Sequence, residues 1–149
     1  MKEFNLSKIK AAGTTVGDVY FPQTTLLLPF NGTNGATTTS DLSSKNNTVV
    51  FYGNAQLSTA QSKFGGSSLL LDGTGDYLQI ANQSYFDFST SDWTIECWFY
   101  LDSSTSGTYN TLLDMGNGSA SGAGPYWTAV KNDSGTYYIG AALDSTTAG

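Results

Sequence analysis

Histidine and arginine are absent from this sequence of 149 residues, and cysteine occurs once. Without an imidazole, neither a Ser-His-Asp nor a Cys-His nucleophile arrangement can be assembled from its side chains. A single cysteine and no histidine also exclude zinc sites of the usual Cys/His kind. Six lysines are the whole basic complement, against twelve acidic residues, for a formal net charge of -6. A nucleic-acid binder needs a cationic footprint on the phosphates, which this balance does not supply. Charged residues reach only 12%, about half the share of an ordinary globular chain. No run approaches the roughly 20 apolar residues that span a bilayer, so membrane insertion is not expected. The first ten residues alternate in charge and contain no apolar h-region, which argues against a secretion signal.

What is present points to β structure. Twenty Thr, 18 Ser, 10 Asn and 17 Gly take over the solvating role that charges usually play. Hydroxyl groups keep their hydrogen-bonding capacity in salty water, where exposed ion pairs are screened. Aromatics make up 13%, more than a disordered chain carries. Many hydroxyls, β-branched residues and glycines, with few helix formers, predict an all-β protein with turn-rich connections.

The chain divides into an arm and a body. Residues 1–24 hold Lys2, Lys8 and Lys10, half of the basic residues, beside Phe4, Leu6 and Ile9. These apolar positions fit neither a helical stripe nor a strand alternation, so the segment reads as an arm. Two readings stand: an anchor in which Phe4, Leu6, Lys8, Ile9 and Lys10 dock on a larger assembly, or a loose terminus. From residue 25 to 149, short apolar runs alternate with Gly/Asn/Ser/Thr clusters at sandwich spacing. Strands are predicted at residues 25–30, 48–52, 68–72, 77–81, 93–101, 110–115, 126–131 and 136–143. Asx-Gly and Gly-Gly steps between them reach positive φ at little cost, as tight turns require. The stretch from Ser68 through Gly73-Thr74-Gly75 to Ile80 reads as a hairpin. Segment 93–101 has the sharpest alternation: Trp93, Ile95, Cys97, Phe99 and Leu101 fall on a core face, with Cys97 a buried thiol. Thr94, Glu96, Trp98 and Tyr100 fall on the other.

Six segments in order carry a resemblance. They are Leu26-Leu27-Leu28-Pro29-Phe30-Asn31-Gly32 with Asn34-Gly35 and then Asp41; Tyr52-Gly53-Asn54-Ala55; Phe64-Gly65-Gly66-Ser67-Ser68-Leu69; Leu71-Asp72-Gly73-Thr74-Gly75-Asp76-Tyr77-Leu78; Phe86-Asp87-Phe88; and Trp93-Thr94-Ile95-Glu96-Cys97-Trp98. Together, over about residues 25–143, they resemble laminin-G-like domains of the concanavalin A-like lectin/glucanase superfamily, more narrowly the copies in virion proteins of tailed phages. The resemblance implies an antiparallel jelly-roll sandwich of two curved sheets. It departs from the family pattern after residue 143, where such domains add strands bearing a Trp-His pair and an Asp-Gly hairpin. The domain is therefore expected to be incomplete at its C-terminal end, continued by more chain or completed by a partner.

The resemblance raises three kinds of chemistry. Related glucanases carry alternating carboxylates on one strand, and glycoside hydrolysis needs two flanking the sugar bond. Here the same-face neighbours of Glu96 are Thr94 and Trp98, so no acid pair is formed and no enzyme activity is expected. Sugar or partner binding fits better, in a groove of Glu96, Trp98, Tyr100, Tyr126 and Trp127, with Tyr137-Tyr138 the alternative to Tyr126-Trp127 on an adjacent strand, although aromatics favour any β surface. Asp72 and Asp76 could offer oxygens to calcium, but Asp beside glycine more simply fixes turns. The expectation is a non-enzymatic virion structural protein, such as a tail fibre, adaptor or capsid decoration. It would form homo-oligomers, join other virion subunits through its arm, and present a surface to a glycan or a second virion protein. The alternatives are a bacterial carbohydrate-binding module and, least favoured, a glycoside hydrolase with its acid pair outside this chain.

Overall fold

A computed structural model describes residues 18–81, 83–86, 92–102, 109–115, 126–133 and 136–143. Among the described residues there are seven strands in antiparallel sheets and two single 3-10 turns, Phe21–Gln23 and Ser84–Phe86, an architecture of the all-β class. Among the described residues no helix is long and apolar enough to cross a membrane. The chain forms two compact units, Met1–Glu96 and Cys97–Gly149.

The first unit is organised by an interrupted antiparallel ribbon. Strands β1 (Val49–Tyr52), β2 (Gln56–Ser58), β3 (Ser68–Leu70) and β4 (Tyr77–Ile80) pair as β1 with β4 and β2 with β3. Val49 opposes Ile80 and Phe51 opposes Leu78, so four apolar side chains share one half-buried face. The other face holds Val50, Gln79 and a stacked Tyr52–Tyr77 pair, with ring centroids 4.6 Å apart. Such cross-strand aromatic pairs each stabilise a ribbon by roughly 0.2–1 kcal/mol. Ala55 and Leu57 are fully buried. The loop before the ribbon joins its edge, because Gly35 donates its N–H to the Leu57 carbonyl and Leu57 donates to that of Ala36. A Cβ on Gly32 would come within 2.6 Å of Leu57 Cδ1, so this loop reaches the core only through a glycine.

Three expectations are corrected here. Residues 68–80 are not a hairpin: β3 and β4 pair with different strands. The true hairpin is β2–β3, closed by residues 59–67, and β2 was not foreseen. Between the two paired stretches, residues 53–55 face the longer excursion 71–76, which divides the pairing into two separate ladders. Residues 25–30 form no ladder. Pro29 offers no N–H, Phe30 adopts φ 54°, and the Leu27 N–H is taken by the Asp41 side chain instead. Residues 93–101 also form no strand. A two-residue alternation assigns faces only where a ladder holds the backbone. Trp93, Ile95, Cys97 and Phe99 are accordingly exposed rather than core-facing, Leu101 is half-buried, and the Cys97 thiol is open to solvent.

The second unit is a three-stranded meander of β5 (Tyr109–Asp114), β6 (Tyr126–Asp133) and β7 (Thr136–Leu143). The ladder slips between Thr111 and Leu113, leaving one extra residue on β5 opposite β6. Beyond it the β6–β7 pairing is regular, with Val130 opposite Ile139 and Asn132 opposite Tyr137. Directly opposed residues share a face, so Val130, Tyr137 and Ile139 stand on the same side of the meander.

Candidate functional site

That side of the meander carries a groove. Val130, Tyr137 and Ile139 form its floor, and Phe99, Tyr100 and Leu101 form its wall, around an open volume of about 370 Å³. Val130 is fully buried, whereas Tyr100 is 71% and Ile139 75% exposed. Among the six lining side chains, only the two tyrosines carry polar groups. The surface therefore suits ring stacking and apolar contact, with two hydroxyls to orient what it touches.

The predicted groove residues fall differently. Tyr100 lines this groove. Trp98 is exposed two residues earlier, outside the lining. Glu96 is the last residue of the first unit and stands on no strand, a correction to its expected place beside Trp98 on a sheet face. Tyr126 and Trp127 begin β6, paired with Leu143 and Ala142 of β7. Tyr137, expected with Tyr138 as the alternative to Tyr126 and Trp127 on an adjacent strand, does line the groove, whereas Ile139 was missed. The signal for Ile139 was its place in the Tyr137-Tyr138-Ile139 run, but a sequence does not say which strand neighbours which. The arm residues Phe4, Leu6, Lys8, Ile9 and Lys10 lie outside the described residues.

Asp72 and Asp76 do meet, as fasteners of the excursion. Asp72 accepts from the Thr74 N–H and the Asn54 side-chain amide, both at 2.8 Å. Asp76 accepts from the Asn54 N–H at 2.7 Å and the Asp72 N–H at 2.9 Å. The Asn54 amide, followed by the Thr74 N–H, holds the Asp72 carboxyl below its ordinary pKa, against a smaller opposing effect of desolvation. This is the turn-fixing role anticipated for Asp72. Among the described residues, no three carboxylate, thiol or imidazole groups converge as a metal site would require.

The most strongly built polar cluster centres on Asp41, which is only 3% exposed. Its Oδ1 accepts the N–H of Leu27 at 2.8 Å and of Ser43 at 2.9 Å. Its Oδ2 accepts the Ser43 hydroxyl, the Asn47 N–H and the Asn47 side-chain amide, each at 2.8 Å. Ser43 Oγ and Asn47 Nδ2 lie within hydrogen-bond distance of the Thr25 carbonyl as well. Tyr85 donates its hydroxyl to Asn47 Oδ1, and the Lys45 ammonium sits 5.0 Å from the Tyr85 ring centre. Burial by itself pushes the Asp41 carboxyl up. The N–H groups of Asn47, Ser43 and Leu27 and the Ser43 hydroxyl together outweigh that and hold it far below the usual carboxylate range. The cluster fastens residues 25–27 to the loop 41–47.

The chain matches no protein-family model, no curated protein and no solved structure.

Proposed function

We propose that this chain is a non-enzymatic structural protein of a tailed-phage virion, with a jelly-roll sandwich of the laminin-G-like kind for adhesion or assembly. The six ordered sequence segments support the fold half of this reading. The observation that carries the functional half is the groove of Tyr100, Tyr137, Phe99, Leu101, Val130 and Ile139. It is an open contact surface whose polar groups are two phenols, suited to adhesion rather than to acid–base chemistry. In this reading the arm of Phe4, Leu6, Lys8, Ile9 and Lys10 docks on a neighbouring subunit. Homo-oligomeric copies then turn the groove toward a glycan or a second virion protein.

The test has two arms. Adding the purified chain to particles that lack it should restore incorporation, and deletion of residues 1–24 should abolish incorporation while the β-rich circular dichroism persists. Full incorporation of the truncated chain would remove the anchor from the proposal. The same aromatic groove favours a second reading, a bacterial carbohydrate-binding module. A glycan array settles between them: a strong sugar signal with no incorporation into particles selects the module.

A further inference from the structure

The loop that reaches the Leu57 edge contains two Asn-Gly steps, Asn31-Gly32 and Asn34-Gly35. Asn-Gly is chemically labile. The glycine nitrogen loses its proton and attacks the asparagine side-chain carbonyl carbon, forming a five-membered succinimide and expelling ammonia. Water then opens the ring to aspartate or isoaspartate. Each conversion adds one negative charge, and the isoaspartate product adds a methylene to the backbone. Two conditions must hold: the glycine N–H must be free to deprotonate, and the carboxamide must be free to swing onto it.

In the fold, each step has both reacting groups engaged. Gly32 donates its N–H to Ser67 Oγ at 2.9 Å. Ser67, only 3% exposed, passes its own proton to the Phe30 carbonyl at 2.7 Å, so its oxygen is oriented as an acceptor for Gly32. The Asn31 carboxamide lies against Gly65, filling the space where a Cβ would stand. At the second step, Gly35 donates its N–H to the Leu57 carbonyl at 2.8 Å. The Asn34 Oδ1 accepts the Thr59 N–H at 3.1 Å. Neither nitrogen is available to deprotonate while these bonds persist.

We propose that Asn31 and Asn34 are latent deamidation sites guarded by the native hydrogen bonds, with Ser67 the specific guard of Asn31. Opening of the loop starts a one-way change. A lengthened backbone at position 34 no longer places Gly35 and Ala36 in register with Leu57, so a transient opening becomes permanent.

The experiment is a time course of the full chain in mildly alkaline buffer, native and in concentrated urea, with site-resolved peptide mapping of Asn31 and Asn34. In the native chain Asn34 should convert about thirtyfold more slowly, the factor given by its two ordinary hydrogen bonds, and Asn31 at least about fivefold more slowly, the factor given by the one bond on Gly32. Ser67→Ala, folded by circular dichroism, should speed conversion at Asn31 about fivefold, the worth of one such bond, and leave Asn34 unchanged. Should that variant not fold, Ser67→Cys keeps the volume with a weaker acceptor and takes its place. Equal native and urea rates in the unaltered chain overturn the guarding. A folded Ser67 variant with Asn31 unchanged, or with both sites accelerated alike, overturns the role of Ser67.

Discussion

Replacing Asp41 by alanine removes the acceptor for five donors at once. Three are backbone N–H groups, of Leu27, Ser43 and Asn47, and two are the Ser43 hydroxyl and the Asn47 amide. A buried donor left without a partner costs about 1–3 kcal/mol. Water entering the emptied site offsets part of that sum, so the expected loss is about 3–5 kcal/mol, the range for breaking a buried charged network. Against a total stability of about 5–15 kcal/mol for a domain, this is a large fraction. Asp41→Asn keeps the shape but turns an NH2 toward donors, and is expected to lose about 2 kcal/mol. Urea unfolding followed by circular dichroism reads the loss as a lower midpoint with an unchanged slope. Amide hydrogen exchange at Leu27, Ser43 and Asn47 reports the cluster locally. The pH dependence has a definite sign. The folded carboxyl titrates far below its unfolded value of about 3.9, so its contribution is fully present above about pH 4. It is lost as the pH falls toward the folded value, at about 1.4 kcal/mol per pH unit in between. The alanine variant lacks that term, so its deficit should narrow below about pH 4. A variant within about 0.5 kcal/mol of the parent at neutral pH, with unchanged exchange at the three amides, would refute the reasoning.

Gly53 adopts φ 71°, and an added Cβ would meet Asp76 Oδ1 and, at 2.8 Å, the Gly75 carbonyl oxygen. Gly53→Ala should therefore cost about 2 kcal/mol or more, read as a lower urea midpoint. The Cys97 thiol is exposed, so a thiol reagent should label it in the native chain about as fast as in urea; a strong native lag would contradict the exposed placement. Tyr137→Ala empties one side of the groove with 56% of that residue already exposed. On the proposed virion reading it should weaken attachment to particles at least about tenfold, while moving the unfolding midpoint little, since contact aromatics carry much of a binding energy. Asp72→Asn should speed hydrogen exchange at Thr74, whose N–H now rests on that carboxylate.

Much of the local structure was legible in the residues. Val49-Val50-Phe51-Tyr52, Ser68-Leu69-Leu70 and the later runs of aromatic, β-branched and leucine residues announced β1, β3, β4, β5, β6 and β7, because short apolar runs between turn residues read as strands. The three-residue β2 was not legible, since Gln56-Leu57-Ser58 is too short to show a period. Tyr100 was recognisable as a surface aromatic, but its neighbours Tyr137 and Ile139 come from a strand more than 35 residues away. Alternation in 93–101 suggested two faces, yet a face exists only where a partner strand holds the backbone. Asp41 looked like one more loop aspartate, because its five donors come from three separate places in the chain.

What the sequence determined alone is negative chemistry and local conformation. With no histidine or arginine and one cysteine, whole classes of catalysis are closed, and hydroxyl-rich, glycine-punctuated runs bend into strands and turns. These follow from side-chain inventory and backbone sterics, which act over a few residues. Only the tertiary structure decided that β3 leaves β4 to pair with β2, that Asp72 and Asp76 fasten the excursion between two ladders rather than a hairpin turn, and that a buried Asp41 ties residue 27 to residue 47. Pairing is a choice among distant partners, made by which arrangement satisfies every buried donor and covers Leu57. That choice is a property of the whole fold and has no local signature.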